Sequence, residues 1–128
     1  MILGIGTDLC EIGRIQGALD RFGHRFARRV LGEEEYLRYE RHRKPAAYVA
    51  TRFAAKEAFS KALGTGMRHP VNWHSIRVIN AASGKPGLSF SQPLEEYLMK
   101  RGVTDVHVSL TDETSMACAF VIVEANPA

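Results

Sequence analysis

Residues 117–123, ACAFVIV, are apolar at nearly every position, and a strand of that kind leaves neither of its faces suited to water. Something must cover each side. The same stretch is the second arm of a longer pattern, VHVSLTDETSMACAFVIVE at residues 106–124, in which polar and apolar residues alternate about a TDETS turn. That pattern reads as a long β-hairpin. Its cover comes either from helices of the same chain or from a second copy, and the sequence leaves both arrangements open.

The other elements read as a strand at residues 2–8, a helical region at 12–30 and a helix at 33–43. The first turn of that last helix carries Glu33, Glu34 and Glu35, suited to the positive end of its dipole. Pro45 punctuates the chain, a helix follows at 46–63, and residues 76–79 and 88–90 read as paired strands about an SGKPG turn. A short helix at 93–101 is closed by Gly102. This order predicts an α+β fold, an antiparallel sheet with helices packed on one side, in a single domain over residues 1–128. A hydrophobic content of 45% with 24% charged residues excludes wholesale disorder. Nowhere do about 18 apolar residues run in succession, and no basic region leads into an apolar one, so no membrane partner and a cytoplasmic location are expected. Cys10 and Cys118 lack metal-ligand spacing and read as free thiols, with a disulfide between them left open.

Chemistry concentrates in RFAAKEAFSKALGTG at residues 52–66. Glu57 and Lys61 stand one helical turn apart and share a face, either as a solvated salt bridge or as part of a phosphate and metal site. Gly64 ends the helix, and Gly66 leaves the backbone free to approach a ligand. In the opening MILGIGTDLC, period-two alternation puts Gly4, Gly6 and Asp8 on one face, and glycines so placed mark either close backbone packing or ligand approach. Asp8 is then either a helix cap or a ligand.

Arg14, Arg21, Arg25 and Arg28 fall within about 60° of one another on a continuous helical wheel, opposite an apolar stripe. Gly23 threatens that continuity. The row suggests an acidic partner even at a net charge of +3. Nucleic acid is not expected, because interleaved aromatics and a recognised binding motif are both missing.

MILGIGTDLCEIGRI, RFAAKEAFSKALGTG, the GKP of residues 84–86 and the HVSLTDE of residues 107–113 together resemble, in order and spacing, the holo-acyl-carrier-protein synthase family of 4′-phosphopantetheinyl transferases. The resemblance implies that family's fold, a homotrimer with sites between subunits, and transfer of 4′-phosphopantetheine from coenzyme A to a serine of acyl carrier protein, a step in fatty acid and lipid biosynthesis. It implies Mg²⁺ held by Asp8 and Glu57, with Lys61 on a phosphate and Glu57 as base, directly or through water. Gly64, Thr65 and Gly66 become a phosphate-side loop, Lys85 and Pro86 the edge of the adenine site, His107 and Ser109 nucleotide contacts, and Arg52 a phosphate ligand. For each of these an ordinary turn, hydrogen bond or packing role stands beside the functional one. Arg14, Arg21, Arg25 and Arg28 become the contacts of the carrier protein. Asp112 stands where many relatives carry a histidine and is assigned no role. A non-catalytic module binding an acidic protein, or RNA, is the alternative.

Overall fold

One helix, α4 (Pro45–Leu63), is buried almost all round, with Val49, Ala50, Ala54, Ala55, Ala58 and Phe59 fully enclosed. A helix apolar on every side belongs in the middle of a domain, and the rest of the chain is arranged about it. The computed structural model describes residues 1–127. Before α4 come β1 (Ile2–Glu11), α1 (Ile12–Phe22), α2 (His24–Val30) and α3 (Glu33–Arg41). After it come β2 (Ile76–Asn80), β3 (Pro86–Phe90), α5 (Gln92–Lys100), β4 (Val103–Asp112) and β5 (Met116–Ala125). The α+β architecture is as expected, but the strands form two antiparallel sheets: a three-stranded one in the order β1-β5-β4, and the separate hairpin β2-β3.

The expected helical region at 12–30 is two helices. Gly23 adopts φ 62° and ψ −141°, which a residue with a side chain rarely adopts, and the chain turns there. Asp8 is not a helix cap; it lies inside β1, and α1 starts only after Glu11.

The close approach read from Gly4 and Gly6 is the joint that builds the molecule. A Cβ placed on Gly4 would lie 1.9 Å from the carbonyl oxygen of Ala62, and one on Gly6 would lie 1.9 Å from that of Ala58. Two residues along a strand advance about 6.6 Å and four along a helix about 6 Å, so β1 and α4 run past each other in step. With alanines opposite glycines, backbone meets backbone. The same face of β1 continues to Asp8, which is thereby aimed at α4 beyond Ala58.

β1 consequently inverts the usual pattern, in which apolar residues turn inward. Its glycines and its acid face the helix, while Ile5 and Leu9 on the other face are 60% and 65% exposed. β5 alternates in register with it: Ala117, Ala119, Val121 and Val123 are buried against α4, whereas Phe120 is 43% exposed. The chain's own helices therefore cover one face of the apolar strand and leave the other open. Cys10 lies on the covered face and Cys118 on the open one, so the two thiols are free and point apart. Among the described residues no helix is long and apolar enough to cross a membrane.

Candidate active site

Asp8 at the far end of the β1 glycine face meets two residues one turn apart on α4. Lys61 Nζ donates to Asp8 Oδ1 at 3.0 Å and to the Thr7 carbonyl at 3.1 Å. Glu57 and Lys61 do share a face, yet the lysine pairs with the strand aspartate, and the salt bridge within the helix does not form. The Glu57 carboxyl makes no hydrogen bond or ion pair among the described residues. Burial and then the nearby Asp8 charge push its pKa up, with Lys61 opposing. Two carboxylates thus face one cleft of about 410 Å³, lined also by Cys10, Arg14, Ile15, Ala18, Phe26 and Phe53. Burial, then Asp8, raises the Cys10 thiol to about 11, so it stays protonated at neutral pH and is no nucleophile.

The apolar walls were not foreseen. Phe53 precedes Glu57 by one turn, a spacing that hints at a shared face, but Phe26 arrives from α2 only through tertiary packing. Lys56 and Glu35 were missed as well; their side chains form a buried ion pair at 2.6 Å on a different face of α4. The Gly32-to-Glu35 spacing is a partial signal, because the Glu35 carboxylate reaches back to accept the Gly32 N–H at 2.8 Å as in a capping box.

Other nominated residues lie away from the cleft. Arg52 stands about 140° round the helix from Glu57. Its guanidinium packs 4.1 Å from the Tyr48 ring centroid, Nη1 donates to Thr51 Oγ1 at 2.8 Å, and Nε is buried without a partner. Gly64 closes α4 in the left-handed conformation, and the N–H groups of Gly64, Thr65 and Gly66 all converge on the Ser60 carbonyl, at 3.1, 3.3 and 3.3 Å. The expected phosphate donors of that loop are thus engaged within it, and Thr65 Oγ1 donates to the Gly66 carbonyl at 2.8 Å. Lys85 and Pro86 stand at the turn of the β2-β3 hairpin. His107 and Ser109 pair with Ile122 and Phe120, on the open face of the main sheet, so the sheet itself separates them from Asp8. His107 Nε2 lies 2.6 Å from Glu124 Oε1.

The arginine row is exposed but bent. Arg14 and Arg21 ride on α1, while Arg25 and Arg28 ride on α2 beyond the Gly23 turn, so one helical wheel no longer describes them. Among the described residues none of the four pairs with a carboxylate; Arg28 lies over the Tyr36 ring at 4.1 Å and Arg21 over Phe22 at 5.2 Å. Arg14 reaches the rim of the cleft.

The donor set can be tested against a metal. Two carboxylates face one cleft, and the counter-charge beside them, Lys61, pairs with Asp8. Among the described residues Glu57 is left unpartnered and held toward its neutral form, and a divalent cation would supply the missing charge. Their hard oxygens suit Mg²⁺, which commonly takes one or two carboxylates and completes its shell with water and substrate phosphates. Among the described residues no group of three or more His, Cys, Asp or Glu side chains could hold a metal alone. A pair of carboxylates is what such a cation takes from a protein when an anionic ligand and water complete its shell.

Comparison with known proteins gives the family. The profile described as the 4′-phosphopantetheinyl transferase superfamily matches residues 4–121. A holo-[acyl-carrier-protein] synthase of Nitrosomonas eutropha is 50% identical over 124 residues, covering 97% of this chain and 99% of that protein. Among solved structures, the holo-[acyl-carrier-protein] synthase of Neisseria meningitidis superposes with a TM-score of 0.94 at 43% identity, over 97% of this chain and 99% of that one. The enzyme from Bacillus anthracis, solved in complex with CoA (3′,5′-ADP), gives a TM-score of 0.82 at 37% identity, over 98% of this chain and 99% of that one.

Proposed function

The chain belongs to the holo-[acyl-carrier-protein] synthases of the 4′-phosphopantetheinyl transferase superfamily, and we propose that it moves the 4′-phosphopantetheine of coenzyme A onto a serine of apo acyl carrier protein with Mg²⁺ present, releasing adenosine 3′,5′-bisphosphate. The observation that carries this reading is the meeting of Asp8 and Glu57 at one cleft, from elements distant in sequence, with Lys61 bonded to Asp8. The serine Oγ attacks the phosphorus that bears pantetheine, the bond to the bridging pyrophosphate oxygen breaks, and the nucleotide leaves with that oxygen. Glu57 takes the serine proton, directly or through a water. Lys61 sets a positive charge beside the leaving phosphate. Asp8 and Glu57 would hold Mg²⁺, whose charge would offset that of the pyrophosphate, which otherwise repels the hydroxyl. Thr65 is a candidate phosphate contact once its hydroxyl proton turns from the Gly66 carbonyl to the ligand, and Gly64 and Gly66 shape the loop.

Arg14, Arg21, Arg25 and Arg28 form the docking surface for the acidic carrier protein. Arg21→Ala is expected to raise KM for the carrier protein several-fold at low ionic strength, with the difference shrinking as salt is added. A change confined to kcat would remove the arginine from docking.

We place the protein in the cytoplasm, in fatty acid biosynthesis, as a homotrimer with sites between subunits. Two features support that assembly: the open apolar face around Ile5, Leu9 and Phe120, and the position of His107 and Ser109 on that face, where only a ligand spanning two subunits reaches both them and Asp8. Arg52, Lys85 and Pro86 are candidate contacts of the nucleotide. Sedimentation equilibrium is expected to return three times the 14.2 kDa chain mass, and a single chain mass would overturn the assembly.

The reaction is tested by intact-protein mass spectrometry of apo acyl carrier protein incubated with this protein, coenzyme A and Mg²⁺. A gain of one phosphopantetheine, abolished by EDTA, is expected. No gain with carrier protein still bound would make the chain a docking module; no gain and no binding would turn attention to RNA.

A further inference from the structure

Lys56 immediately precedes Glu57, yet its side chain runs the other way and is fully buried. Each ammonium proton has an acceptor: the Val30 carbonyl at 2.7 Å, Glu35 Oε1 at 2.6 Å and the Trp73 carbonyl at 2.8 Å. Glu35 also accepts the N–H of Gly32 at 2.8 Å through Oε1 and that of Val78 at 2.9 Å through Oε2. One satisfied pair thus ties the end of α2, the start of α3, the turn at Trp73 and β2 to the catalytic helix. Burial pushes the Lys56 pKa down, and the Glu35 carboxylate opposes it. A buried pair of this kind contributes little net stability compared with an apolar pair of similar volume. What it supplies is direction, because five hydrogen bonds admit one arrangement of the pieces they join.

One of those pieces is a wall of the cleft, and another backs a wall. Val30 ends α2, which carries Phe26 as well as Arg25 and Arg28, while the Trp73 ring stacks on Phe53 with centroids 4.9 Å apart. We propose that Lys56 is a positioning residue for the transfer, holding α2 and the Phe53 wall at a fixed offset from Glu57 so that a carrier protein docked on the arginines presents its serine to the carboxylate. The inference rests on the phosphopantetheinyl transfer reading.

The test is steady-state transfer to apo acyl carrier protein, well below the melting temperature, by wild type and by Lys56→Met/Glu35→Gln, which removes both charges together. Wild type must transfer first; failure there would count against the transfer reading itself. In the double variant, kcat/KM for the carrier protein is expected to fall about tenfold or more, as for other supporting hydrogen bonds behind a site. KM for coenzyme A should stay within about twofold of wild type, since the arginines that α2 carries serve the carrier protein. Trp73 is the only tryptophan of the chain, so a shift in its emission reports the loosened stack directly. A folded double variant with wild-type kinetics, or a loss carried by KM for coenzyme A, would overturn the proposal. Should that variant fail to fold, Trp73→Leu decides: it keeps the ion pair and its carbonyl acceptor, and the same selective loss is expected, whereas unchanged kinetics would again overturn it.

Discussion

Glu57→Gln is expected to lower turnover by about 10³-fold while leaving the melting temperature at pH 7 equal to or above that of the wild type. The two halves of this result share one cause. Burial and the Asp8 charge disfavour the Glu57 carboxylate, so its folded pKa lies above the ordinary glutamate value. The native state then binds that proton more tightly than the unfolded chain does. Its contribution to stability is full below the unfolded value and is lost as pH rises through the folded one. At neutral pH the ionised side chain is therefore a cost, and the neutral amide removes it along with the base and the metal ligand. The gap in melting temperature between variant and wild type should close as pH falls below the ordinary glutamate value near about 4.3, where wild-type Glu57 is itself protonated. Mg²⁺ should raise the melting temperature of wild type and not of the variant. Asp8→Asn should match the loss of turnover at little cost in stability, because its partner Lys61 is half exposed. Near-normal turnover in both variants would sink the metal and base assignments.

Gly6→Ala is expected to be among the most damaging single substitutions in the chain, although it adds one methyl group. The new carbon would fall 1.9 Å from the Ala58 carbonyl oxygen and 2.7 Å from the Ala62 nitrogen. Both atoms belong to the backbone of a buried helix, so neither can swing aside, and the strand or the helix must move as a whole. A loss of about 3 kcal/mol or more follows, roughly 10 °C in melting temperature. Turnover measured in the cold should also fall, because moving β1 off α4 separates Asp8 from Glu57 and Lys61. Gly17→Ala is the matched control. It lies in α1 with nothing within 4 Å of its added carbon, and should be neutral or slightly stabilising. Equal melting temperatures for Gly6→Ala and Gly17→Ala would show that the strand is not pressed on the helix.

Much of the site could be read from the chain because its information is local. The spacing of Glu57 and Lys61, the end of the helix at Gly64 and the common face of Gly4, Gly6 and Asp8 are set by backbone periods of 3.6 and 2, which need no knowledge of any other element. The turn at Gly23 was visible as a threat to the arginine row, since a missing side chain is itself a local fact. Membership of the family, too, was legible in motifs that lie along the chain in order.

The partners that those faces chose were not legible. Period-two alternation says that Gly4, Gly6 and Asp8 lie together, but it is equally compatible with an inward or an outward face; the inversion in β1 appears only when α4 is laid against it. For the same reason Lys61 pairs with Asp8, 53 positions away in sequence, rather than with Glu57 one turn before it. In KEAF, the lysine and the glutamate are neighbours whose side chains leave the helix about 100° apart. That angle could be known in advance; which direction held the core and which the cleft could not. Periodicity determines which side chains travel together, whereas the packing of distant segments, governed by how closely backbones approach and which charges can be satisfied once buried, determines what they meet.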